Sequence, residues 1–186
     1  MVNSFSFAKF IKQVKFRKQI ACMMKNILII NGSPRKKGNT ALMGDYLIKY
    51  AKKKGFSTEK IYLYDYNFEA CIDCRACKKG KLLCTVKDDM QQLYAKIDKA
   101  NVLVFPTPIY WLAATGKMKP FFDRLRPYFG NKKLMGKSAI VLMAANEGEN
   151  DSDLTKEMFR RSFNFLQINN IGSITAKAYD VSDVDK

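Results

Sequence analysis

The sequence predicts a doubly wound α/β fold in three layers, with five parallel strands and helices on both faces. Three observations predict it. Short, nearly all-apolar runs, such as residues 26–31 (NILIIN) and 138–145 (SAIVLMAA), have the composition of strands buried on both faces. Between such runs lie segments whose apolar residues recur at helical spacing. The two kinds alternate along the chain, and no internal repeat or low-complexity linker interrupts them.

The elements follow in order. Residues 1–23 form a basic N-terminal extension with Phe7, Phe10, Ile11 and Val14 at helical spacing. It reads as an amphipathic helix that packs on the body, or as an upstream start ahead of Met24. Residues 24–186 form one domain. Residues 26–31 are the first strand, and Gly and Pro follow it. Residues 40–54 place Met43, Leu47, Tyr50 and Ala51 on one helical face, and Gly55 stops them. Residues 59–64 are the second strand. Asp88 opens a helix with Asp-x-x-Gln capping chemistry and apolar Met90, Leu93, Tyr94 and Ile97. Residues 101–105 (NVLVF) are the third strand, ending at Pro106. Met118, Phe121, Phe122 and Leu125 mark another helix, with Pro120 tolerable only in its first turn. Residues 138–145, 151–167 and 171–179 complete the pattern as strand, helix and strand. Only seven residues follow Tyr179, so the helix that would cover the last strand is expected to be missing, with the N-terminal extension covering part of that face.

The totals exclude several classes of function. A length of 186 residues suits a single domain with a substantial core. No apolar run approaches the roughly 20 residues needed to span a bilayer, and lysines interrupt the N-terminal apolar positions. A cytoplasmic protein without a membrane partner is the expectation. Lys and Arg number 33 against 17 Asp and Glu, which gives a net charge of +16 and favours anionic ligands. No Lys/Arg block is interleaved with aromatics on a nucleic-acid module, so nucleic acid is not an expected partner. The chain has no His, which removes imidazole as a base, a proton shuttle or a metal ligand.

After the first strand comes Gly32-Ser33-Pro34-Arg35-Lys36-Lys37-Gly38-Asn39-Thr40, and then a helix. A loop that enters a helix N-terminus offers unpaired backbone N–H groups and the positive end of the dipole, both suited to an anion. Ser33, Asn39 and Thr40 add hydroxyl and amide donors, and Arg35 adds charge. The spacing fits neither a Walker A loop nor the dinucleotide G-x-G-x-x-G fingerprint.

Four of the five cysteines, Cys71, Cys74, Cys77 and Cys84, run as C-x2-C-x2-C-x6-C within an insert at 71–84; Cys22 stands apart. Repeated C-x2-C spacing is typical of iron–sulfur ligation. Structural zinc usually separates its paired ligands by a longer knuckle, and free thiols are the third use. Thr85 stands where ferredoxin-type sites carry Pro after the last cysteine. All three uses stay open on spacing alone.

Residues 25–40 (KNILIINGSPRKKGNT) resemble the opening of the NADPH-dependent FMN reductase and iron–sulfur flavoprotein families. The similarity continues through the cysteines, Lys87-Asp88-Asp89-Met90, residues 105–111 (FPTPIYW), Gly116-Lys117-Met118-Lys119 and Phe122-Asp123-Arg124. It covers residues 25–179 in unbroken order and departs at the two ends. The resemblance implies a flavodoxin-like sheet with FMN at its C-terminal edge. Carried over, Ser33, Arg35, Gly38, Asn39 and Thr40 would hold the phosphate. Pro108, Ile109, Tyr110 and Trp111 would line the ribityl chain and ring, and Asn146 and Gly148 would approach from the other side. It further implies NAD(P)H as donor, a small molecule or a ferredoxin-like protein as acceptor, a [4Fe–4S] cluster on the four cysteines, and a homodimer or homotetramer. The alternatives are an electron carrier linking ferredoxin-like partners without NAD(P)H turnover, and a basic nucleic-acid-binding module with structural zinc.

Overall fold

The computed structural model describes residues 26–185; the expectations for the N-terminal extension lie outside the described residues. Strand β1 (Asn26–Asn31) leads to helix α1 (Asn39–Lys53), and β2 (Ser57–Tyr62) lies parallel beside β1. A long irregular segment then carries the four cysteines to α2 (Met90–Lys99). Strand β3 (Val102–Tyr110) turns back into the two-residue β4 (Ala113–Ala114), followed by α3 (Met118–Asp123) and α4 (Pro127–Asn131). Strand β5 (Ser138–Ala145), helix α5 (Asp153–Leu166) and strand β6 (Asn169–Lys177) complete the sheet. The strand order is β2-β1-β3-β5-β6, all parallel, with β4 antiparallel to the end of β3. This is the doubly wound, three-layer arrangement that the alternation predicts.

Side chains on successive strand residues point to opposite faces, and the two cores divide accordingly. Leu28 and Ile30 join a core under α2, α3, α4 and α5, whereas Ile27 and Ile29 meet Met43, Leu47 and Ala51 of α1. The first core is centred on Phe105, whose ring lies 5.4–5.6 Å from those of Phe122, Phe159 and Phe163. Burying each such ring contributes about 1.5–3 kcal/mol. Strand β6, at the sheet edge, stays partly exposed along most of its length.

Local departures have physical causes. The third strand does not stop at Pro106 but runs to Tyr110. Pro106 O accepts Gly32 N at 2.8 Å, so the missing N–H groups of Pro106 and Pro108 face β1, whose pairing with β3 ends at Ile29↔Val104. The pairing with β5 on the other side continues through both prolines. The Asp88–Gln91 box does not close. Asp88 Oδ1 accepts the Met90 amide, while Gln91 reaches back to the carbonyls of Cys84 and Val86. The helix after Thr115 is broken in two, and Pro127 begins the second piece. Helix α5 ends on Gln167 in the left-handed region, φ 56°, and β6 starts at Asn169, before the expected residue 171. Among the described residues no helix is long and apolar enough to cross a membrane.

Candidate functional site

The C-terminal ends of β1, β3 and β5 converge on a cavity of about 420 Å³. Parallel strands all end at this edge, and the crevice beyond them is where such sheets bind ligands. The β1–α1 loop forms one wall. Its glycine turn is imposed by crowding: a Cβ on Gly32 would lie 2.6 Å from Met118 Cε and 3.3 Å from Thr115 Oγ1. Thr115 Oγ1 donates to Gly32 O at 2.6 Å, and Ser33 N donates to Asn31 Oδ1 at 2.7 Å. Ser33 Oγ accepts the Arg35 amide at 3.1 Å, which leaves the hydroxyl hydrogen for another acceptor.

Gly38 is the N-cap of α1, and no side chain caps the helix. Ala41 N and Leu42 N both bond to Gly38 O, so the amides of Asn39 and Thr40 precede the first intrahelical bonds. Asn39 Nδ2 donates to Asp180 O at 2.8 Å, while Asn39 Oδ1 is buried without a partner. An open helix start, a free hydroxyl and Arg35 on one wall fit a phosphate group, and the cavity volume suits a flat ring attached to it.

Nine of the eleven residues expected at the cofactor line this cavity: Ser33, Arg35, Gly38, Asn39, Thr40, Pro108, Ile109, Tyr110 and Asn146. Trp111 and Gly148 do not. Tyr110 pairs with Ala113, so Trp111 and Leu112 form a two-residue hairpin with φ of 50° and 64°. Such a turn needs positive φ at both positions and usually holds Asn-Gly. Trp111 is consequently 98% exposed at its tip. Gly148 is buried at the start of a 3-10 turn, where a Cβ would meet Lys177.

Sequence reasoning missed the wall formed by residues 178–181, all of which follow β6. The one available signal was topological, since β6 must end at the same edge as its parallel neighbours. It also missed Thr107 and Thr115, both fully buried beneath the loop. Their proximity is created by the hairpin, which no local pattern specifies.

The four cysteines are free thiols that wall a second, much smaller cavity of about 20 Å³, together with Arg75, Arg124 and Arg126. Burial pushes the Cys77 thiol up; Arg126 opposes this, and the neighbouring Cys84 and Cys71 add to it. Among the described residues no three His, Cys, Asp or Glu side chains stand close enough to hold a single metal ion. A four-iron cluster is larger than an ion and spreads its thiolates wider. Thiols are the donor type and guanidinium groups the counter-charge that such a cluster would need, although the cavity has room only for a water-sized group.

The neck of this loop is tightly bonded. Arg124 Nη1 and Nη2 donate to Asp88 Oδ2 and Oδ1 at 2.7 and 2.9 Å, and Nη1 also donates to Glu69 O at 2.9 Å. Asp88 Oδ2 also accepts the Glu69 amide. Burial raises the Asp88 carboxyl, but the Arg124 fork and the amides of Glu69 and Met90 outweigh it, so its pKa is lowered.

Comparison with known proteins agrees with this geometry. The sequence profile of the NADPH-dependent FMN reductase family matches residues 25–180. An iron–sulfur flavoprotein of Archaeoglobus fulgidus is 36% identical over 124 residues, 65% of this chain and 55% of that protein. A second from the same organism is 38% identical over 109 residues, 58% of this chain and 53% of its own, so the chain matches only about half the length of these relatives. YwqN of Bacillus subtilis, which carries the name of an NAD(P)H-dependent FMN-containing oxidoreductase, is 29% identical over 85% of this chain and 88% of its own. Among solved structures, the Trp repressor binding protein of Bacillus subtilis superposes with a TM-score of 0.64 at 22% identity, covering 85% of this chain and 87% of that one. RosB, with a bound formylriboflavin phosphate intermediate, superposes at 0.65 and 20% identity, covering 84% and 68%. These structures share the flavodoxin-like fold. With the profile running from the first strand to the wall after the last, the chain belongs to the NADPH-dependent FMN reductase family.

Proposed function

We propose that the protein is an FMN-dependent oxidoreductase that takes reducing equivalents from NAD(P)H and passes them to an acceptor, a small molecule or a ferredoxin-like protein. One observation carries this reading. The uncapped start of α1, Ser33 and Arg35 share a cavity with the Pro108–Tyr110 segment and Asn146. The amides of Asn39 and Thr40, the Ser33 hydroxyl and Arg35 would hold the phosphate. Thr115 and Pro106 fix the loop from behind through Gly32. Pro108, Ile109 and Tyr110 would flank the ribityl chain and ring, with Asn146 opposite. When bound, FMN supplies the hydride and electron chemistry, and the protein supplies position, polarity and shelter from water. A chain without His is compatible with this division of labour.

The four thiols of Cys71, Cys74, Cys77 and Cys84 are, in the same reading, the seat of a [4Fe–4S] cluster. Their common cavity, the flanking arginines and the names of the Archaeoglobus relatives support it. A homodimer or homotetramer is the corresponding assembly, supported by the exposed apolar pair Trp111 and Leu112 beside the flavin cavity. Protein expressed with ample riboflavin and purified without air is expected to show a two-banded flavin spectrum, with iron and sulfide in the same sample. Colourless protein that refuses FMN on titration removes the flavin reading. Absence of iron removes the cluster alone.

The thiol site favours a second reading, an electron carrier that does not turn over NAD(P)H. Rapid mixing with NADPH separates the two. The reductase bleaches its flavin at once, whereas a carrier stays yellow until reduced ferredoxin is added.

A further inference from the structure

We propose that Arg124 is the positioning residue of the four-cysteine site: it locks the two ends of the loop together and donates the N–H of Nε, its one nitrogen without a partner, to a cysteine sulfur when the thiolates are liganded. The proposal rests on the cluster reading above for its second half and on geometry alone for its first.

Arg124 is 1% exposed, and a guanidinium so deeply buried is costly unless its donors are matched. Two of its three nitrogens are matched, by Asp88 and by the Glu69 carbonyl. Residues 69 and 88 flank the segment that holds all four cysteines, so one side chain bridges both ends of the loop. Asp88 tightens the same neck by accepting the Glu69 and Met90 amides. The Tyr94 hydroxyl donates to the Arg124 carbonyl and fixes the backbone from α2.

The third nitrogen, Nε, is buried and has no partner. Leaving a buried donor unmatched is unfavourable, and more so when it is charged. A residue kept only as a structural fork gains nothing from that cost. Arg124 also walls the cavity shared by the four thiols, and Cys84 is among the groups that act on its charge. A thiolate sulfur is an acceptor, and a cluster's sulfurs are tuned by the N–H groups they accept. Lysine could carry the charge but could not both fork onto Asp88 and present a third planar N–H.

The test compares Arg124→Lys and Asp88→Asn in anaerobically purified holoprotein, with the midpoint potential of the cluster as readout. An N–H on sulfur stabilises the more negative, reduced state. Arg124→Lys is therefore expected to move the potential in the negative direction. Asp88→Asn, which removes an anion and keeps Nε, is expected to move it in the positive direction. A purely structural neck predicts no such opposition. An unchanged potential in Arg124→Lys, or shifts of the same sign, overturns the proposal. Should Arg124→Lys lack a cooperative melt, Asp88→Glu, which keeps both charges but displaces the fork, is expected to give a smaller negative shift; no shift overturns it. If the wild-type protein carries no iron, the cluster reading fails separately. The neck is then judged in iron-free protein by iodoacetamide: Cys71 and Cys84 are expected to react at least tenfold faster in Arg124→Lys, and equal rates overturn the positioning role.

Discussion

Two loops of this protein leave parallel strands at the same edge of the sheet and enter helices, and they are made differently. Residues 32–38, between β1 and α1, contain no positive φ. They are held at their start, at Gly32 and Ser33, by buried bonds to Pro106, Asn31 and Thr115. The segment between β2 and α2 has four residues at positive φ, Asp73 (48°), Arg75 (61°), Gly80 (58°) and Leu82 (53°). Three of them are not glycine. Its strongest bonds gather at the neck, where Asn67 and Glu69 meet Asp88 and Asp89. The start of the β1–α1 loop is thus fixed in place without any ligand, so an anion bound there would meet donors already held by the fold. The cysteine loop stores backbone strain and is closed at its base, which would suit a segment that takes its final shape on binding a ligand, as proposed above.

The largest expected effect breaks the cysteine-loop side of this comparison. Asp88→Ala leaves the Arg124 charge buried without its carboxylate, and urea unfolding should show a loss of about 3–5 kcal/mol. The same pair predicts an acid limb. Because the folded Asp88 pKa is lowered, its contribution is present above the unfolded value of about 3.9 and is lost as pH falls through the folded value. Wild-type stability should therefore decline below about pH 4, and Asp88→Asn should flatten that decline. If Asp88→Ala instead melts like the wild type, the neck is decoration rather than a closure.

On the phosphate side, Arg35→Ala combined with Thr40→Ala should weaken FMN binding by at least 100-fold, about 2.7 kcal/mol, with little change in melting temperature. Equal losses of binding and stability would show that this loop is not independently preorganised. Gly32→Ala places a methyl against Met118 and Thr115 and is expected to cost about 1–3 kcal/mol in thermal unfolding. The smallest effect has the opposite sign. Trp111→Asn with Leu112→Gly puts residues suited to positive φ at the hairpin tip and should stabilise the monomer by about 1 kcal/mol. Light scattering on the same variant tests whether the exposed pair holds an assembly together.

Much of the candidate site was legible because its chemistry is local. A strand, a glycine, short polar residues and a helix start in sequence place amide donors together whatever surrounds them, which is why Ser33, Arg35, Gly38, Asn39 and Thr40 all reach the cavity. Trp111 was less readable, because its position depends on pairing between Tyr110 and Ala113 and on a turn its own residue types disfavour. Asp88 and Gln91 carry the letters of a capping box, but only half of it forms: Asp88 accepts the Met90 amide while gripping Arg124, and Gln91 turns to the carbonyls of Cys84 and Val86 in the cysteine loop.

The sequence by itself determined the alternation of strand and helix, the division of side chains between two cores, and the loop that can grip an anion. These follow from periodicities of two and 3.6 residues and from backbone donors at a helix start. Only the tertiary structure decided that residues after β6 close the cavity at the sheet edge, that Thr107 and Thr115 lie under Gly32, and that Arg124 bridges residues 69 and 88. Those contacts join positions far apart in the chain, and strand order and packing, which no local pattern encodes, bring them within bonding distance.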